Sequence, residues 1–227
     1  MNIAELFVSI QGEGMLLGVP SVFVRTSGCN LRCVWCDTPY TSWAPEGEAM
    51  TVARIVDYVR EHDTGYVVIT GGEPMIAPEI VELTAELKRL GRHITIETAG
   101  TVFEPVACDL MSISPKLANS TPHERDGGRW AAQHDRLRIQ PEVLSRLMAG
   151  YSYQLKFVVA APKDIGEILE LAGRLGAPPD RVVLMPEGTD AETLHSRGVW
   201  LVDLCRLHRF RFSPRLHIEL FGNRRGV

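Results

Sequence analysis

Three of the five cysteines fall in one short stretch, Cys29, Cys33 and Cys36, spaced CxxxCxxC with Trp35 just before the last. Three thiolates this close can bind three corners of an iron–sulfur cube and leave the fourth iron open to a ligand that is not protein. A structural zinc ion would want four protein ligands and a closed shell, and Cys108, Cys205 or a histidine could supply the fourth. No second C-x-x-C recurs downstream, which weighs against a zinc knuckle and against a disulfide framework. Cys108 and Cys205 read as buried small residues rather than ligands.

Other residues able to do chemistry stand at regular stations along the chain. Gln11-Gly12-Glu13-Gly14 sets a carboxylate between two glycines, where backbone and Glu13 can approach a ligand closely. Arg25 ends an apolar run just before the cysteines, and its guanidinium is a candidate clamp for a carboxylate. Thr70-Gly71-Gly72-Glu73-Pro74 offers bare backbone and an acceptor for an ammonium group. Glu97, then Ser114-Pro115-Lys116, then Met185-Pro186-Glu187-Gly188 close three further apolar runs. Each of these residues alone is an ordinary loop residue; their recurrence is the signal.

The elements that must position them follow from periodicity. Ser21–Arg25, Tyr66–Thr70, His93–Thr98, Asp109–Ser114, Tyr153–Val159 and Arg181–Met185 read as six buried strands. Helices are expected over Thr51–Glu61, Glu79–Leu90, Pro141–Ala149, Asp164–Leu175 and Thr193–His208, where apolar residues recur at helical spacing. A polar group at each strand's C-terminal end is the arrangement of a parallel barrel that builds its site from successive βα loops. The class is therefore α/β, a partial (β/α)6 barrel in one domain spanning residues 1–227, with a doubly wound sheet as the alternative. Residues 118–134, polar and punctuated by Gly and Pro, read as a surface excursion, and residues 215–227 as a closing segment with a strand over His217–Gly222.

Composition bounds the rest. The chain has 227 residues, 45% hydrophobic and 23% charged, with a formal charge of -4. These values suit a globular protein with a real core and argue for neither a nucleic-acid surface nor an anionic membrane as partner. No apolar run reaches spanning length. The start lacks a basic n-region, so a cytoplasmic setting and metal ligation rather than disulfides are expected.

The cysteine spacing, the aromatic before Cys36 and the Gly71-Gly72-Glu73-Pro74 stretch after a strand resemble the radical S-adenosylmethionine (SAM) superfamily. The order Ile10-Gln11-Gly12-Glu13-Gly14, Arg25, the cysteine loop with Asp37-Thr38, Thr70-Gly71-Gly72-Glu73-Pro74 and Ser114-Pro115-Lys116 resembles, more narrowly, the 7-carboxy-7-deazaguanine synthase family. The likeness runs over nearly the whole chain and is weakest in residues 118–134. Another radical SAM enzyme, such as a glycyl-radical enzyme activase, shares the cysteine and GGEP motifs; Gln11-Gly12-Glu13-Gly14 and Arg25 favour a small carboxylated substrate over a protein one.

The resemblance implies a shortened, modified radical SAM barrel, usually a homodimer. It implies a carbon–nitrogen lyase that converts 6-carboxy-5,6,7,8-tetrahydropterin to 7-carboxy-7-deazaguanine with release of ammonia, on the way to queuosine and other deazapurines. SAM is reused rather than consumed, Mg2+ is required, and a flavodoxin or ferredoxin supplies electrons. Carried over residue by residue, Cys29, Cys33 and Cys36 would hold the [4Fe–4S] cluster and Thr38 the Mg2+. Ile10, Gln11, Gly12, Glu13, Arg25, Thr70 and the C-terminal Val227 would contact the pterin. Trp35, Cys36, Asp37, Gly72, Glu73, Glu97, Ser114, Pro115, Lys116, Met185, Pro186, Glu187 and Gly188 would line SAM. Met185 stands where the family more often has glutamine, and Val227 where some members end in proline.

Overall fold

The computed structural model describes all residues from Met1 to Val227. Nine strands form one sheet: β1 (Asn2–Ile10), β2 (Pro20–Thr26), β3 (Glu48–Ala49), β4 (Tyr66–Gly71), β5 (His93–Thr98), β6 (Leu110–Ile113), β7 (Tyr153–Val159), β8 (Val182–Pro186) and β9 (Arg211–Phe212). Their spatial order is β3-β1-β2-β4-β5-β6-β7-β8-β9, an open series rather than a closed barrel. β1 runs antiparallel to both its neighbours, and every pairing from β2 to β9 is parallel. The six strands expected from sequence are the parallel run β2, β4, β5, β6, β7 and β8.

Helices α1 (Val52–Arg60), α2 (Ile80–Arg89), α3 (Ala131–Leu137), α4 (Pro141–Gly150), α5 (Ile165–Leu175), α6 (Ala191–His208) and α7 (Leu216–Phe221) complete the chain. Local signals explain their limits. Thr51 Oγ1 accepts from Arg54 N at 3.2 Å and opens α1, whose Val52, Ile55, Val56 and Val59 all turn inward. Asp190 caps α6 through Thr193 N at 2.8 Å. Gly176 takes the left-handed conformation that ends α5. One contiguous core of 32 buried residues links strands and helices from Met1 to Cys205.

One expectation needs correction. His217–Gly222 is not a closing strand: Leu216–Phe221 is the helix α7, and the short β9 pairs with β8 instead. His217-Ile218-Glu219-Leu220 alternates polar and apolar like a strand, but only Ile218 is buried and Leu220 is 58% exposed. Pro214, lacking an N–H, cannot extend the β9 ladder. Residues 118–134 are exposed or half-buried from 123 to 133 and are tied into the fold at both ends. They contain the start of α3 and bury Ser120, Thr121 and His134 beneath the cysteine loop. At those ends polar side chains satisfy loop backbone, while His123, Glu124, Asp126, Arg129 and Gln133 face water, so no apolar period marks the segment.

Candidate active site

The C-terminal ends of β2 and β4 to β8 converge on one cavity of about 480 Å³. Arg25 from β2, Thr70 from β4, Glu97 from β5, Ser112 from β6, Lys156 from β7 and Met185 from β8 all reach it. Successive parallel strands thus deliver one polar or adaptable side chain each to the same face.

The cysteine loop forms one wall. Cys29, Cys33 and Cys36 all line the cavity, while Cys108 and Cys205 lie elsewhere, their thiols turned to the Ile94 and Arg211 carbonyls. The loop's own carbonyls are tied down: Arg32 Nη1 donates to Cys29 O and Leu31 O at 2.8 Å each, Trp43 Nε1 to Cys33 O at 2.9 Å, and Arg125 Nη1 to Val34 O at 3.0 Å. From beneath, Val34 N donates to Ser120 O at 2.8 Å and Trp35 Nε1 to Asn119 O at 3.1 Å. Arg32 N donates to His134 Nδ1 at 3.1 Å, so the neutral ring carries its proton on Nε2, facing Ser120 Oγ at 2.8 Å.

This donor set fits a cluster better than a lone ion. No three Cys, His, Asp or Glu side chains converge closely enough to hold a single metal ion. Three soft donors spread over one loop, with the open side toward the cavity, suit three corners of a [4Fe–4S] cube. Burial pushes the Cys29 thiol up to about 12, helped by the nearby Glu73 carboxylate, and burial pushes Cys33 higher still. Free, these thiols hold their protons; a bound cationic cluster is what would make them thiolates.

The Gly71-Gly72 backbone presses against this loop. Glu73 N donates to Gly28 O at 2.9 Å, and a Cβ on Gly72 would overlap that same carbonyl. Both glycines line the cavity. Glu73, expected beside SAM, is not on that wall. Its carboxylate is 1% exposed and accepts from Thr98 Oγ1 at 2.7 Å, Ala99 N at 2.8 Å and Met75 N at 3.1 Å. The motif therefore offers backbone to a ligand, and its glutamate braces β4 against β5. Pro115, Pro186 and Gly188 also stand behind the wall, whereas Ser114, Lys116, Met185 and Glu187 form it.

Ile10, Gln11, Gly12 and Glu13 line the same cavity, together with Thr70 and Val227. Glu97 is shared, taking Gln11 Nε2 at 3.1 Å and Thr70 Oγ1 at 2.8 Å. Arg25 gives its Nε to Glu5 at 2.7 Å, and Tyr40 OH donates to the same Glu5 oxygen at 2.8 Å. Glu5 thus orients the guanidinium and leaves its Nη groups for a ligand. Thr38 Oγ1 is on the wall, 3.9 Å from Cys36 Sγ.

Sequence reasoning missed Lys156, Arg215 and His217, which also line the cavity. Lys156 Nζ bonds one oxygen of Glu13 and Arg215 Nε the other, at 3.1 Å; Arg215 Nη2 bonds Asp37. Burial would raise the Glu13 carboxyl, but Lys156, Arg215 and His217 outweigh it and hold the group well below the usual carboxylate range. Burial would likewise lower Lys156, yet Glu13 and Glu97 keep it above its ordinary value. Glu13 is therefore an ionised acceptor at neutral pH, suited to a ligand edge that presents N–H donors. The one local signal was Lys156 itself, a lone charge within the buried strand Tyr153–Val159.

Comparison with known proteins places this geometry. The Radical SAM superfamily model matches residues 23–119. The 7-carboxy-7-deazaguanine synthase of Rhodopirellula baltica is 45% identical over 99% of this chain and 88% of its own. The enzyme of that name from Halobacterium salinarum is 45% identical over 98% and 91%. Among solved structures, QueE from Escherichia coli superposes with a TM-score of 0.69 at 26% identity, covering 95% of this chain and 94% of that one.

Proposed function

From a chain that belongs to the 7-carboxy-7-deazaguanine synthase family of radical SAM enzymes, we propose that this one converts 6-carboxy-5,6,7,8-tetrahydropterin to 7-carboxy-7-deazaguanine and ammonia. The observation that carries the reading is a single cavity lined both by the three cysteines and by ionised Glu13, Gln11 and Arg25. The atoms of substrate and products balance with no net oxidant or reductant, which accords with a cofactor that is returned unchanged.

The [4Fe–4S] cluster and SAM, which the family carries, supply when bound a deoxyadenosyl radical able to abstract a hydrogen from the substrate. Cys29, Cys33 and Cys36 would hold the cluster. Trp35, Asp37, the Gly72 backbone, Glu97, Ser114, Lys116, Met185 and Glu187 would line SAM. The chain's remaining work is binding and orientation. Glu13, held by Lys156 and Arg215, accepts from the amino and ring N–H groups of the pterin. Gln11 and Thr70, oriented by Glu97, bond its edge. Arg25, steadied by Glu5, pairs with the substrate carboxylate. Val227 and its neighbours Asn223, Arg224 and Arg225, which line the cavity, would cover the bound pterin.

Mg2+ would be held through the Thr38 hydroxyl, which lines the cavity and is a hard oxygen donor, and would supply charge stabilisation at the substrate carboxylate. An electron donor such as flavodoxin or ferredoxin, a homodimer, a single domain over 1–227 and a cytoplasmic setting belong to the same proposal. One main core cluster of 32 buried residues supports the domain assignment. No helix is long and apolar enough to cross a membrane. The test is anaerobic incubation of the reconstituted protein with SAM, reductant, Mg2+ and the carboxypterin. Product with the mass and absorbance of 7-carboxy-7-deazaguanine is expected, and its formation should be lost in Glu13→Gln. SAM cleavage without that product would retain the superfamily and discard the substrate.

A further inference from the structure

Arg215 sits between β9 and α7 and is 7% exposed. Its guanidinium reaches three separate segments. Nε donates to Glu13 Oε1 at 3.1 Å, Nη1 to Gly188 O at 2.6 Å and Nη2 to Asp37 Oδ2. Backbone bonds fix the surroundings: Leu216 N donates to Gly12 O at 2.9 Å, and Gly14 N to Ser213 Oγ at 2.7 Å. One planar fork thus joins the Gln11–Gly14 turn, the end of the cysteine loop next to Cys36, and the loop after β8. On the function proposed above, the first would contact the pterin, and Asp37 and Glu187 of the other two would line SAM.

We propose that Arg215 is a positioning residue that couples pterin binding to SAM binding; the inference rests on the function proposed above. A ligand that engages Glu13 fixes the orientation of that carboxylate. The rigid fork then fixes Asp37 and the Gly188 carbonyl, so the second ligand meets a site already ordered and loses less conformational freedom on binding. Lysine, a point charge on a flexible stem, keeps the charge but cannot span three acceptors in fixed directions. Lys156 cannot substitute, because its ammonium contacts only the Glu13 end.

The coupling is measured as SAM affinity of the cluster-loaded protein, anaerobically, with and without saturating carboxypterin. In the unaltered chain the pterin should tighten SAM about tenfold, and SAM should tighten the pterin by the same factor, as linkage demands. Arg215→Lys and Arg215→Gln should bring that factor to within about twofold of one while each ligand alone still binds and the cluster absorbance remains. Should the Arg215 variants fail to fold, amide exchange in the unaltered chain tests the same step: saturating carboxypterin without SAM should slow exchange around Asp37 and Gly188, and unchanged exchange there overturns the inference. Undiminished coupling in a folded variant overturns the inference, as does absence of coupling in the unaltered chain when both ligands bind. Failure of the carboxypterin to bind at all, with SAM binding intact, overturns the proposed substrate instead and the inference with it.

Discussion

Replacing His134 should weaken the floor of the cysteine loop in a way that can be calculated. The ring is 1% exposed; it accepts from Arg32 N at 3.1 Å and, through Nε2, donates to Ser120 Oγ, which passes the chain to Leu117 O at 2.6 Å. His134→Ala strands the Arg32 N–H, at about 1–3 kcal/mol, and opens a small cavity, so a total near 3 kcal/mol is expected. For a chain of this length that is a fall of roughly 6–12 °C in melting temperature. Asn can place its carbonyl where Nδ1 stood, so His134→Asn should recover about half. The pH dependence has a definite sign. Burial, with Arg138 and Lys116, lowers the ring's pKa from 6.5 to about 4, so the unfolded chain takes up a proton that the folded one refuses. Stability from this group is complete above pH 6.5 and is lost as pH falls from 6.5 toward 4, by about 2 kcal/mol once partial solvent screening is allowed for. The assay is anaerobic thermal melting of the reconstituted protein from pH 7.5 to 5, with iron content measured alongside. A loss below about 1 kcal/mol for Ala, or equal losses for Ala and Asn, would refute the role assigned to the ring.

Three further outcomes are expected. Gly72→Ala should abolish cluster retention, since its Cβ would collide with the Gly28 carbonyl that Glu73 N bonds; iron content near that of the unaltered protein would contradict this. Glu73→Gln should cost about 1–3 kcal/mol by setting an amide donor against Thr98 Oγ1 or Ala99 N. SAM affinity measured at a temperature where the variant is folded should change less than about threefold, because the carboxylate is not on the cavity wall; a much larger loss would return Glu73 to the SAM site. Thr38→Ala should lower turnover and weaken its dependence on Mg2+ while leaving the cluster spectrum intact, and unchanged Mg2+ dependence would count against that ligand.

What could be read from sequence was local. The CxxxCxxC spacing, the glycines after β4 and the apolar runs of β2, β4, β5, β6, β7 and β8 each lie within a few residues, and their periods survive into the fold. The antiparallel β1 adds a strand beside β2, and no sequence period distinguishes its direction from that of a parallel neighbour. The Glu13–Arg215 pair spans 202 residues and the Asp37–Arg215 pair 178, so no spacing announces either. That the Glu73 side chain turns away from the cavity was not legible for a different reason: side chains alternate along an extended segment, and a motif fixes which residues occur, not which face each takes. His134 looked like part of a polar loop because a ring that satisfies backbone deep in a structure has the same sequence appearance as one facing water.

Counting deoxyadenosine against product tests the central claim most directly. With cluster-loaded protein, SAM, reductant, Mg2+ and 6-carboxy-5,6,7,8-tetrahydropterin under anaerobic conditions, 7-carboxy-7-deazaguanine should accumulate with far less than one deoxyadenosine released per product. One or more deoxyadenosine per product, or SAM cleavage with no deazapurine formed, would contradict the account.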